Sequence, residues 1–179
     1  FYLEMITARI DPCAEDSRPR RSAQTALHQM AEAFVRGIAP ILSFTADESW
    51  GFMPGDRSSS VFVAQWYPRR RLTDEEAINK QDWAVILQAK EAINKVIEDQ
   101  RNQGNIQGSL EADIQVYADD SLRESLAKLG AELRCVTITS KATLGSLDQA
   151  HGAAESLLAG LKVSLQRSSA KKCVRCWHF

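Results

Sequence analysis

Residues 18–55 constrain the fold more than any other stretch. Leu27, Met30, Phe34, Ile38 and Ile41 recur at steps of three and four, which places them on one stripe of an α-helix. Ser17 or a neighbour can cap its start. Pro40 has no amide proton and pushes Ala39 away from helical dihedrals, so the helix must kink or stop there. Thr45 and Glu48 have capping-box spacing, which predicts a second helix from Thr45 to about Phe52, ended by Pro54-Gly55-Asp56.

The flanking segments continue this helical pattern. FYLEMITARI, residues 1–10, reads as the tail of a helix. Residues 56–72 read as loop with an extended stretch, Val61–Val63. Thr73 and Glu76 form another capping box and open a helix predicted to run to about Gln103. Trp83, Ile86, Leu87, Lys90, Ile93, Val96 and Ile97 line its inner side, with the Lys90 stem laid along that face and its ammonium in water. Gly104 is a suitable stop just beyond the helix. Together these segments predict an antiparallel bundle of about four helices.

The pattern changes after Gly104. Leu110, Ala112, Ile114 and Val116 alternate with Glu111, Asp113, Gln115 and Tyr117, as in a half-buried strand over Leu110–Tyr117. Asp119–Leu129 reads as a helix ending at Gly130, with further strands at Leu133–Ser140 and Leu161–Leu165. A strand–helix–strand connection favours a parallel pair with the helix on one face. The predicted fold is mainly α. An antiparallel helical bundle over residues 1–104 precedes a small α+β subdomain over 105–168 and a short tail, 169–179.

The composition, 44% hydrophobic and 25% charged, supports a globular core and argues against wholesale disorder. No apolar run approaches the roughly 18–20 residues that span a bilayer. A net charge of −1 argues against indiscriminate binding of polyanions, but the basic residues are clustered. Arg18, Arg20 and Arg21 form one group, and Arg69, Arg70 and Arg71 another. Beyond Glu155 there is no acidic residue, while Lys162, Arg167, Lys171, Lys172 and Arg175 follow. Such patches suit a polyanion read at one face; the bland alternative is solvated surface.

The four cysteines are not a disulfide framework and suit a reducing cytosol. Cys173 and Cys176 have the spacing of one zinc knuckle. A structural zinc needs four ligands. His178 lies only two residues from Cys176, and Cys135 would have to be brought close by the fold. The alternative is a free dithiol. No catalytic constellation is present: His28 lies near the helical stripe, and His151 sits in a loop without a nucleophile partner. Asp74-Glu75-Glu76 reads as a helix start favoured by the dipole.

In order along the chain, FYLEMITARI, RRSAQTAL, AEAFVRGIAPILSFTADESW, VFVAQWYP, GSLEADIQVYA and CVRCWHF resemble one family. It is the anticodon-binding region of class I aminoacyl-tRNA synthetases for branched aliphatic amino acids, most nearly the bacterial-type isoleucyl-tRNA synthetases. The valyl and leucyl enzymes share the helical bundle; the strand subdomain leading to Cys-x-x-Cys favours the isoleucyl group. Two positions depart from many relatives: Gly37 stands where a bulky residue is common, and Ser49 where an apolar one is. The family's second cysteine pair is not among these residues.

The resemblance implies the tRNA(Ile) anticodon stem-loop as partner, with a cytoplasmic location. Isoleucine would be ligated to its tRNA, with ATP, by catalytic and editing domains upstream of Phe1, so no catalytic residue is expected here. It implies zinc in the intact protein, with Cys173 and Cys176 as half of its site. RNA reading needs cations for phosphates and flat surfaces for unstacked bases. Candidates for the first are Arg18, Arg20, Arg21, Arg36, Arg69, Arg70, Arg71, Lys171, Lys172 and Arg175. Candidates for the second are Trp66, Tyr67 and Trp177, while Trp50 and Trp83 sit on apolar stripes as core. Rival readings are a helical module docking an acidic protein, and a metal-dependent enzyme using Cys173, Cys176 and His178.

Overall fold

The computed structural model describes residues 2–10, 13–68 and 77–179. The chain falls into two compact units, one of residues 13–71 and one combining residues 1–12 with 72–179. In chain order the first helices are α1 (Tyr2–Ile10), α2 (Arg18–Ile38), α3 (Ser43–Phe52) and α4 (Lys80–Asn102).

In the 13–71 unit, Pro19 sits in the first turn of α2, where its missing amide proton costs no helical hydrogen bond. The helix ends at Ile38, two residues before Pro40, but Ala39 is not pushed out of helical dihedrals: it keeps φ −52° and ψ −40°, with its amide donating to Val35 O. α3 begins at Ser43 rather than Thr45; its cap position is Leu42, and no side chain caps it. Val61–Val63 forms a 3-10 turn instead of an extended stretch, with the Phe62 amide donating to Ser60 Oγ at 3.2 Å. A small core joins Val35, Ala39, Ala46, Trp50 and Val61. The predicted apolar stripe does not supply that core. Phe34 is 65% and Ile41 82% exposed, whereas α2 turns Ala23, Glu32 and Val35 inward.

The other unit is built on a mixed sheet. After α4 come β1 (Ala112–Ala118), α5 (Asp120–Ala127), α6 (Leu133–Thr137), β2 (Lys141–Ser146), β3 (Ala154–Glu155) and β4 (Leu161–Arg167). The strand order is β2-β1-β4-β3. β1 runs parallel to β2 and antiparallel to β4; a parallel pair joined by a helical crossover is present, but its second strand is Lys141–Ser146 rather than the expected Leu133–Ser140. The Thr73–Glu76 capping box lies outside the described residues. α4 opens instead at Asn79, whose side chain accepts from the amides of Gln81 and Asp82 while Asp82 accepts from the Asn79 amide, all at 2.9 Å. It closes as foreseen at Gly104 (φ 77°). There the Gly104 amide donates to Arg101 O and the Asn105 amide to Gln100 O, the two bonds of a Schellman motif.

Two expectations need correction. Leu133–Ser140 is not a strand: residues 133–137 are helical, Ile138 takes a left-handed φ of 55°, and the strand starts at Lys141. One helical turn buries Leu133, Cys135, Val136 and Thr137 together, which outweighs the strand preference of a β-branched run. The mainly α, antiparallel bundle is also overturned, by a four-stranded sheet and two separate cores. Ile86, Ala89, Ile93, Val96 and Ile97 of α4 share a core with Ile114 and Val116 of β1, Leu126, Leu133, and Leu161 and Val163 of β4. Periodicity revealed that α4 has an apolar face, but not that a sheet layer would cover it.

Candidate nucleic-acid interface

Glu32 organises the 13–71 unit. It is 5% exposed, and Arg36, one turn along α2, donates to its Oε2 through Nη1. Arg57 Nη2 donates to Oε1 at 2.9 Å, and His28 Nε2 lies 3.5 Å from the same oxygen. Burial pushes the Glu32 carboxyl pKa up, but the hydrogen bonds and charges of Arg36 and Arg57 outweigh it and hold the group below its ordinary 4.5. Both guanidiniums also lie over the Trp50 ring, at 4.5 Å for Arg36 and 4.4 Å for Arg57. Trp50 is fixed in turn by donation from Nε1 to Ser58 O at 2.9 Å.

Arg36 carries this cluster to the surface. Its Nε donates to Gln65 O at 2.8 Å, and its guanidinium stands 5.4 Å from the centre of the Tyr67 ring. The segment Gln65–Tyr67 is thereby strapped to α2. Between them lies a groove of about 500 Å³, lined by Met30, Phe34, Gly37 and Ile38 of α2 and by Trp66 and Tyr67. Trp66 is 66% exposed.

The sequence-derived candidates are thus only partly gathered. Arg36, Trp66 and Tyr67 meet at one groove. Arg18 and Arg21 are exposed at the start of α2, and Arg20 donates to Cys13 O at 3.3 Å. At 1.5 Å rise per residue, Arg18 is about 27 Å from Arg36 along the helix. Arg69, Arg70 and Arg71 lie outside the described residues. Lys171, Lys172 and Arg175 are exposed on the tail of the other unit, with Lys172 Nζ 5.4 Å from the Trp177 ring centre.

That tail forms a tight turn. The Trp177 amide donates to Cys173 O at 3.0 Å and the Cys173 amide to His178 O at 2.7 Å. Hydrogen bonds from the backbone of Cys176 and of Arg175 lower the Cys173 thiol pKa. Amides aimed at a sulfur suit a thiolate, as a metal-bound cysteine requires. Cys135 is buried elsewhere in the fold, and burial raises its thiol pKa. Among the described residues, no three Cys, His, Asp or Glu side chains gather in a group that could hold a metal ion. No helix among them is long and apolar enough to cross a membrane.

Sequence reasoning missed Glu32 and Arg57. The His28, Glu32 and Arg36 spacing of four was a signal for the first, since such residues face one another on a helix. Nothing local marks Arg57.

Residues 1–117 match the family described as the anticodon-binding domain of tRNA ligase, and the chain belongs to that family. Among particular relatives, it is 47% identical to an isoleucine–tRNA ligase of Teredinibacter turnerae, 49% to one of Marinomonas sp. and 47% to one of Pseudomonas aeruginosa. Each alignment covers 99% of this chain and 19% of the relative's length. The resemblance seen in the ordered sequence motifs is therefore shown.

Proposed function

We propose that the chain is the anticodon-reading part of an isoleucine–tRNA ligase and grips the anticodon stem-loop of tRNA(Ile), while ATP-dependent aminoacylation and editing take place elsewhere in a longer parent. The observation that carries this reading is the 47–49% identity sustained across nearly the whole chain, both units included. Exposed Arg18, Arg21, Lys171, Lys172 and Arg175 hold phosphates, joined by Arg20 and by Arg69, Arg70 and Arg71. Trp66 and Trp177 offer base-stacking surfaces. Arg36 acts on RNA indirectly, by positioning the segment that bears Trp66. The parent works in the cytoplasm.

Zinc belongs to this proposal too. Cys173 and Cys176 would supply two of four ligands in the parent, the other two coming from outside these residues. The ion there is structural and ties the tail into a fixed shape.

Titration of the chain with cognate and anticodon-altered stem-loops tests the function. Tighter binding of the cognate loop is expected, with affinity falling as salt rises because phosphate contacts release counterions. Equal affinity for both loops at moderate salt would defeat the identity assignment.

A further inference from the structure

We propose that residues 168–179 form a loop clamped at both ends on the entry to the sheet, and that Ser140 is the positioning residue that holds Cys173 and Cys176 in place before a metal arrives. The inference rests on the zinc part of the proposed function and deepens it. β4 ends at Arg167, and the next amide, that of Ser168, donates to Glu111 O at 2.8 Å. At the far end the Phe179 amide donates to Ser140 Oγ at 2.7 Å. That hydroxyl in turn donates to Leu110 O at 2.6 Å, while the Ser140 amide donates to Ala112 O at 3.1 Å. Both ends of the loop therefore meet across the consecutive residues Leu110, Glu111 and Ala112, where β1 begins. A surface segment whose ends are held this close is an Ω-loop.

Inside the clamp the two sulfurs converge. The amides of Arg175 and Cys176 and the Cys176 thiol all hydrogen-bond to the Cys173 sulfur. Lys172 Nζ lies 5.4 Å from the Trp177 ring centre and 5.9 Å from that of Phe179, which ties the anchored end back to the residue before Cys173. Ser140 is 9% exposed, and its single hydroxyl proton goes to Leu110, so the oxygen is left as an acceptor for the tail. A loose tail must lose backbone freedom residue by residue when two thiolates grip one ion. The clamp removes that cost during folding, before the ion binds. Two sulfurs are half of a tetrahedral set, so a thiophilic divalent ion is held here with two positions left for other donors.

Cadmium, followed by the charge-transfer absorption of its thiolate bonds, tests this on the full 179-residue chain. Wild type should bind it through Cys173 and Cys176, and the band should vanish when both are changed to Ser. Ser140→Ala should weaken cadmium binding about fivefold, the scale of one net hydrogen bond, and Ser140→Thr should restore most of the loss. Phe179→Pro removes the donor without touching the sheet and should weaken binding by a similar factor. Combined with Ser140→Ala it should add little, because both remove the same bond. In the metal-free chain, amide exchange over residues 173–178 should quicken in either variant while β1 and β4 keep their protection. Wild-type affinity retained in Ser140→Ala and Phe179→Pro overturns the clamp but leaves the zinc reading standing. Absence of a cysteine-dependent band in wild type overturns both. If Ser140→Ala also opens β1 and β2, Phe179→Pro decides alone, and undiminished cadmium affinity there overturns the clamp. Equal loss in Ser140→Ala and Ser140→Thr, or fully additive losses in the combined variant, overturns the role of Ser140 as well.

Discussion

The 13–71 unit is organised around charge, and the sheet unit around apolar packing. In the first, five buried apolar residues surround a carboxylate gripped by two guanidiniums over one indole. In the second, nineteen buried residues form a continuous core shared by α1, α4, α5, α6 and two strands, β1 and β4. An apolar core tolerates small shifts of position, because dispersion and burial have little directionality. A network of hydrogen-bonded charges does not, and removing one member strands the others. The contrast suggests a division of labour, in which one unit holds shape and the other holds a surface in register.

The sharpest way to break that comparison is Glu32→Ala. It leaves the half-buried Arg36 and Arg57 without their counter-charge, and about 3 kcal/mol of stability should be lost from the 13–71 unit. Amide hydrogen exchange should show α2 and α3 opening while β1 and β4 keep their protection. Ile93→Ala should give the reverse pattern at about 3 kcal/mol, since Ile93 is 1% exposed in the sheet unit's core. If either variant opened both units equally, the division would fall.

Acid should separate the units next. A carboxyl whose pKa is depressed on folding stabilises the fold above its unfolded pKa, and that contribution disappears as pH falls through the folded value. For Glu32 the loss therefore begins below about pH 4.5 and loosens α2, α3 and the Trp66 segment. Asp82 behaves with the same sign below 3.8, held down first by its hydrogen bond from Lys128. It joins the start of α4 to α5, so those ends should loosen while the strands persist. Exchange measured along a pH series reads both. Asn79→Ala is the mildest test: loss of its cap should cost about 1 kcal/mol, confined to the start of α4.

Much of the scaffold was legible, for local reasons. Pro40 ends α2 by its missing amide proton, Gly104 closes α4 through its positive φ, and alternation along Leu110–Tyr117 reports a strand, although it begins only at Ala112 and Tyr117 is buried on the opposite face as well. What failed depended on partners distant in sequence. Leu133–Thr137 carries strand-forming residues yet packs as a helical turn, and Lys141–Ser146, with few apolar residues, becomes the strand because β1 offers it a parallel edge. The site was legible in part. Trp66 and Arg36 were singled out from composition and resemblance, but the apolar stripe of α2 suggested a buried Phe34. Only the inward turn of Glu32, compensated by Arg57 from 25 residues away, explains why that stripe faces outward.

Arg36 has a mechanical role because it touches Glu32, Trp50, Gln65 and Tyr67 at once. It works as a rivet through three layers: the helix, the indole and the outer loop. A strain applied to the loop tip is then felt at the last turn of the helix with no slack between them. An RNA pulling on that loop would meet a stiff lever rather than a tether.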